Sequence, residues 1–230
     1  MHVDDLHDWD VSPAQARALQ ERLSAQVRIE PLPKCIRRVA GADLAVSREA
    51  GLFFAAVVVL TFPELETVEV VTARAPASFP YVPGLLTFRE GPALADAFRK
   101  VAGAPDVVVF DGQGLAHPRR MGLACHMGLW LDVPTLGCAK SRLTGEYREP
   151  GPEKGRSSIL RDRGERIGAV LRSRTGVRPL FVSPGHRADI PTSTDLVLAC
   201  CTRYRLPEPT RRAHHEVALA KADYLTGRSR

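Results

Sequence analysis

The spacing of hydrophobic residues changes period several times along the chain, and each change marks an element. After twelve mostly polar residues, Ala18, Leu19, Leu23 and Val27 recur at helical spacing with arginine and glutamate between them. This predicts an amphipathic helix over 14–27, with Ser12 as N-cap, Pro13 in the first turn and prolines 31 and 33 as the stop. Residues 1–12 read as a loose tail. Three strand-like runs follow: 38–46 (RVAGADLAV), 52–62, which is the most apolar stretch, and 66–75 (ETVEVVTARA). Their short connections predict an antiparallel meander. The turn PYVPG at 80–84 leads to a helix expected from Pro92 to about Val101. Val107, Val108, Val109 and Phe110 then make a continuous apolar run suited to a strand buried on both faces. A helix over 118–131 connects it to a second buried strand, 133–138, which should run parallel to the first by a right-handed crossover. Residues 145–164 are polar and glycine-rich and predict a loop. Beyond them, 165–172 and 177–183 flank Thr175-Gly176 as a hairpin, and 192–204 and 209–225 predict two closing helices.

Three antiparallel strands followed by a parallel β-α-β unit is the order of a ribonuclease H-like α/β architecture. Its central mixed β-sheet is flanked by helices, with the first and fourth strands side by side. Asp43, inside the first run, and Asp111, ending the fourth, then become neighbours despite their separation in sequence. No repeat or long linker divides residues 1–230, so a single domain is expected.

Composition narrows the partner. The chain carries a formal net charge of +6, with arginine far outnumbering lysine, a balance that favours a polyanion because each neutralised phosphate releases counterions. The longest apolar run, 52–60, is strand-sized and too short for a membrane span. The first residues, MHVDDLHDWD, are acidic rather than signal-like, which leaves the cytoplasm as the expected location. The five cysteines form no CxxC pair and predict neither a disulfide framework nor a zinc site.

The candidate chemistry centres on DVVVFDGQGLAHPRR at 106–120. A carboxylate at the carboxyl end of a buried strand, facing a glycine-opened loop, is where an α/β sheet places a site. Two aspartates on adjacent strands supply oxygen ligands for a hard divalent cation such as Mg2+. Glu90, expected at a helix start, is the third acid, and that position would favour its ionised form; alone, it also reads as a glutamate offsetting the helix dipole. His214 is placed to orient or deprotonate a water. Lys140, just past the second buried strand, is placed to counter phosphate charge.

Five ordered segments resemble the endonuclease V family of deoxyinosine-directed nucleases: VAGADLAV at 39–46, PYVPGLLTFREGP at 80–92, DGQGLAHPRRMGLACHMGL at 111–129, VPTLGCAKSRL at 133–143 and LPEPTRRAH at 206–214. The resemblance implies Mg2+-dependent hydrolysis, with Mn2+ able to substitute, of the second phosphodiester bond 3′ to the lesion, leaving 3′-hydroxyl and 5′-phosphate ends. It implies that Asp43 and Asp111 hold the metal, that Glu90 and His214 complete the catalytic set, and that Lys140 stands at the scissile phosphate. Pro80, Tyr81, Val82 and Pro83 resemble the family's wedge, which fills the gap left by an extruded base; prolines stiffen such a loop and a tyrosine ring can stack there. Gly84, Leu86, Gly112, His117, Leu123, Gly128 and Leu143 are implied to line the pocket for the flipped hypoxanthine. The implied partner is DNA bearing deoxyinosine or another deaminated base, bound by a monomer. Inosine in RNA is the alternative substrate, distinguished by contacts to the 2′-hydroxyl. A silent binding module would lack a carboxylate, and every expected one is present.

Overall fold

The computed structural model describes residues 1–227. The elements in chain order are α1 (Pro13–Ser24), β1 (Arg38–Ser47), β2 (Leu52–Thr61), β3 (Thr67–Pro76), α2 (Leu86–Lys100), β4 (Val107–Phe110), α3 (Leu123–Leu131), β5 (Thr135–Ala139), β6 (Ser157–Asp162), β7 (Glu165–Leu171), β8 (Leu180–Pro184), α4 (Ile190–Cys200) and α5 (Glu208–Leu225). The strands form one eight-stranded mixed sheet in the order β3-β2-β1-β4-β5-β8-β7-β6. As the pattern predicts, β1, β2 and β3 form an antiparallel meander, while β4 runs parallel to both β1 and β5.

The central strands are apolar throughout because both faces of the sheet are covered. Ala40, Ala42, Val108 and Phe110 pack with Leu94, Phe98, Met127 and Trp130 from α2 and α3. Val39, Val107 and Val109 pack on the other face with Val197, Cys200 and Ala213 from α4 and α5. Four cysteine thiols are buried and free in this interior, and Cys35 is exposed and free. Among the described residues no helix is long and apolar enough to cross a membrane.

Four expectations are corrected. Residues 1–9 are not a loose tail. Val3 is buried, the Asp4 amide donates to the Trp130 carbonyl at 2.7 Å, and Trp9 stacks on Trp130 with ring centroids 4.4 Å apart. The exposed Asp5–Arg99 pair, at 2.6 Å, contributes at most about 1 kcal/mol. Aromatic pairs add about 0.5–1.5 kcal/mol each beyond the area they bury, so the rings rather than the charges hold the segment down. Second, α1 stops at Ser24, short of Val27, although Ser12 does cap it, within a capping box completed by Gln15. Third, α2 begins at Leu86, six residues before Pro92, which lies inside it. Fourth, residues 145–164 are not all loop: β6 pairs antiparallel with β7 through a turn in which Arg163 and Gly164 both have positive φ.

Candidate active site

The register between β1 and β4 decides where the two aspartates go. The last parallel pair is Ala42↔Phe110, so Asp111 follows level with Asp43, and its amide donates to the Ala42 carbonyl at 3.4 Å. Neighbouring residues level in a parallel pair project to the same face, and the two carboxylates raise each other's electrostatic energy there. Helix α5 reaches this point because Gly41 has no side chain: a Cβ there would stand 2.1 Å from the Pro209 backbone carbonyl. Farther along α5, His214 places Nδ1 2.7 Å from Asp43 Oδ2. An ionised carboxylate only accepts, so Nδ1 is the donor to Asp43, and in the neutral imidazole Nε2 is then the nitrogen that can accept. Lys140, one residue past β5, donates to Asp111 Oδ2. Glu90 arrives from α2, in the helix layer on the opposite face.

The charges in this cluster work against one another. Asp43 is raised above the ordinary carboxylate range by burial and then by Asp111, with the His214 hydrogen bond and the Leu44 amide pulling it back. Glu90 is pushed up to about 8, first by burial and then by the Asp43 carboxylate; Arg89 opposes the shift and Asp111 adds to it. The expectation that a helix start would hold Glu90 ionised is therefore corrected. It lies in the second turn of α2, beyond the exposed amides that stabilise an anion, and its surroundings favour the neutral acid.

The 80–84 turn stands beside this cluster. Val82 packs into a small core with Ala16, Phe79, Leu85 and Phe88, while Pro80 and Pro83 are exposed and Tyr81 projects with 73% of its surface open. Gly84 closes the turn at φ +77°, a left-handed conformation that L side chains rarely adopt. Its carbonyl accepts from three side chains: Arg119 Nη2 at 2.7 Å, Gln20 Nε2 at 3.0 Å and His117 Nε2 at 3.1 Å. His117 is driven down to about 4 by burial and then by Arg119 and Arg120, against the pull of its Gly84 bond. It is a neutral donor at pH 7. Sequence reading missed Gln20 and Arg119 in this role, since a glutamine on an amphipathic helix and an arginine in a basic turn carry no local mark of it.

Between the turn and the acids lies a pocket of about 390 Å³, walled by Gly84, Leu86, Gly112, His117, Leu123 and Leu143. Asp111 and Lys140 also line it, so the pocket opens directly onto the acidic cluster. Thr87, Gln113 and Ser141 belong to the wall as well, and Gln113 Nε2 donates to the Ser141 carbonyl at 3.0 Å. Gly128 is a correction. It sits in α3, where a Cβ would stand 2.3 Å from Thr135 Oγ1 and 2.6 Å from His186 Cβ; it permits close helix–sheet packing and does not line the pocket.

As arranged, no three His, Cys, Asp or Glu side chains among the described residues converge tightly enough to hold an ion together; Asp43 is engaged by His214 and Asp111 by Lys140. The donor chemistry nevertheless fits a hard divalent cation. Asp43 and Asp111 offer carboxylate oxygens from one end of the sheet, and a third carboxyl, Glu90, stands within electrostatic reach, raised first by burial and then by the Asp43 charge.

Known proteins give this geometry a family. The family model described as Endonuclease V matches residues 20–215. The endonuclease V of Nostoc punctiforme is 50% identical over 89% of this chain and 93% of its own length, and that of Alkalilimnicola ehrlichii is 52% identical over 90% and 92%. The solved endonuclease V of Streptomyces avermitilis superposes with a TM-score of 0.91 at 40% identity, over 98% of this chain and 100% of that one. A Ciona intestinalis endonuclease V, solved with a 23mer DNA containing an inosine followed by a ribo-adenosine, superposes with a TM-score of 0.81 at 25% identity, over 93% and 100%. Matched over most of its length by both the family model and these relatives, the chain belongs to the endonuclease V family and is an endonuclease.

Proposed function

We propose that this endonuclease repairs DNA at deoxyinosine, hydrolysing the second phosphodiester bond 3′ to the lesion with Mg2+ as cofactor and leaving 3′-hydroxyl and 5′-phosphate ends. The observation that carries this reading is that one pocket joins the exposed Tyr81 turn to Asp111 and Lys140. A base drawn into it places its own backbone at the acidic cluster. The inosine-containing DNA held by the Ciona relative supports the same substrate class.

Each residue then has a task. Tyr81, held out by a turn whose last carbonyl has three donors, fills the gap in the stack. Unstacking costs a few kcal/mol, least for a base that already pairs poorly. Leu86, Leu123 and Leu143 cover the faces of the flipped base, and a backbone amide of the pocket wall would suit the O6 acceptor of hypoxanthine, where adenine carries a donor. Asp43 and Asp111 would hold the divalent cation, which when bound supplies positive charge at the phosphate and acidifies water. His214, fixed by Asp43 through Nδ1, offers Nε2 to take a proton from the attacking water. Lys140 offsets charge on the phosphate beside Asp111.

The test is a duplex with one inosine, incubated with Mg2+ and mapped at nucleotide resolution beside matched inosine RNA. The expected product is one nick at the second bond 3′ to inosine, absent from the adenine control and from a chelated reaction. Cleavage of the RNA alone would overturn the DNA assignment, and cleavage of neither would overturn the whole reading.

A further inference from the structure

The family model begins at residue 20, so the docked segment 1–9 lies outside it and has no task in the chemistry above. The geometry points to Trp9 as a positioning residue: its indole braces the turn of α2 that carries Glu90, and so sets where that carboxyl stands in the acidic cluster. The inference rests on the reading that Glu90 serves the hydrolysis.

Three observations carry it. The first is that the N-terminal part of α2 is weakly held by its own helix. No side chain caps it, and Pro92, having no N–H, leaves the carbonyl of Phe88 without its helical donor. The turn 86–91 therefore depends on contacts from outside. Arg89 supplies part of this, through the Phe79 carbonyl at 3.4 Å and the Phe53 ring at 5.2 Å.

The second is that Trp9 occupies the space beside Gly91. A Cβ on that glycine would stand 2.3–2.9 Å from the carbons of the indole ring, so the ring lies flush on the backbone next to Glu90. The same indole meets Phe88 edge-on, with centroids 6.1 Å apart. Contacts therefore fall on both sides of Glu90 in sequence.

The third is that Trp9 is itself fixed to a different element. It stacks on Trp130 of α3, and the adjacent His7 meets His126 of α3 with its Nε2 2.7 Å from that residue's Nε2. Asp4 is tied to the Trp130 carbonyl, and the amino terminus to the end of α2, at the carbonyls of Phe98 and of the C-cap Val101. The segment thus bridges α2 to α3, and α3 follows directly from the pocket wall at Gly122 and Leu123. Trp9 touches no reacting group. It acts through Glu90.

The experiment compares full-length wild type, Trp9→Ala, Trp9→Phe, Glu90→Gln and Trp9→Ala/Glu90→Gln by single-turnover nicking, inosine-duplex affinity and amide exchange. For Trp9→Ala we expect faster exchange over 86–91 with β4 unchanged, and nicking slowed about tenfold or more at unaltered duplex affinity, because small misplacements of reacting groups are costly. Trp9→Phe, which keeps a ring in the space, should recover most of the rate. In the Glu90→Gln background the alanine should slow nicking no further, the non-additivity expected of residues acting through one group. Unchanged exchange over 86–91, wild-type nicking by Trp9→Ala, or equal slowing in both backgrounds would each overturn the inference. Should wild type leave inosine duplexes uncut, the substrate reading falls, while the exchange arm still decides whether Trp9 holds the turn.

Discussion

At the scale of single residues, two carboxyls of the cluster, Asp43 and Glu90, carry charges that burial and their neighbours make unfavourable. Glu90 shows this most directly, being raised to about 8 by burial and by Asp43. Because its folded value lies above its ordinary one, the folded chain keeps a proton that the unfolded chain has already lost. This contribution is fully present below the ordinary glutamate range and disappears as pH rises through about 8. Glu90→Gln mimics the neutral acid. With a chelator present, it should raise the melting temperature relative to wild type at pH 9 and leave it nearly unchanged at pH 4. A difference of equal size at both pH values would show that Glu90 carries no such burden. The sequence showed that a carboxyl stands at position 90 but not its state, because the raising groups come from β1 and β4 and appear beside it only after folding. His117 is parallel: the histidine is visible in HPRR, but its neutrality follows from burial and then from Arg119.

At the scale of elements, strands with a strong apolar signature were legible, and elements stabilised from a distance were not. The runs 38–46, 52–62 and 107–110 correspond to β1, β2 and β4 within two residues, since a strand buried on both faces has little choice of residue. Strand β6 sits at the sheet edge with only Leu160 fully buried, so its polar sequence resembles a loop. The start of α2 was hidden by Pro92, which ordinarily opens a helix and here lies within one. The docked segment did carry a signal, apolar Val3, Leu6 and Trp9 at regular spacing, but the acidic residues between them concealed it. The contact between α5 and β1 is the element-level feature most exposed to test. Gly41→Ala forces a methyl against the Pro209 backbone; crowding of this kind costs about 1–3 kcal/mol or more. It should lower the denaturant midpoint, and it should also slow nicking at conditions where the chain remains folded, because α5 carries His214 away from Asp43. Full activity of the folded variant would mean that the His214–Asp43 contact is dispensable.

At the scale of the whole molecule, the sheet collects what the sequence disperses. Asp43, Asp111 and Lys140 come from the adjacent strands β1, β4 and β5 or their ends, while Glu90 and His214 come from helices on opposite faces. The order of strands in the first half makes the Asp43–Asp111 pairing legible in the sequence, because a meander followed by a parallel crossover places those strands together. What the order could not give is the alliance of pocket and turn, which depends on Gln20 of α1 and Arg119 meeting at one carbonyl. The net charge of +6 suits the polyanion that this surface would grip. The central claim is that two aspartates from neighbouring strands act on one phosphate through a shared divalent cation. The most direct measurement is single-turnover cleavage of an inosine duplex by Asp43→Asn and Asp111→Asn, with duplex affinity measured in parallel. Both variants should bind the duplex as wild type does, while Mg2+-dependent nicking should fall by at least about 10³-fold in each. Nicking at the wild-type rate by either variant would contradict it.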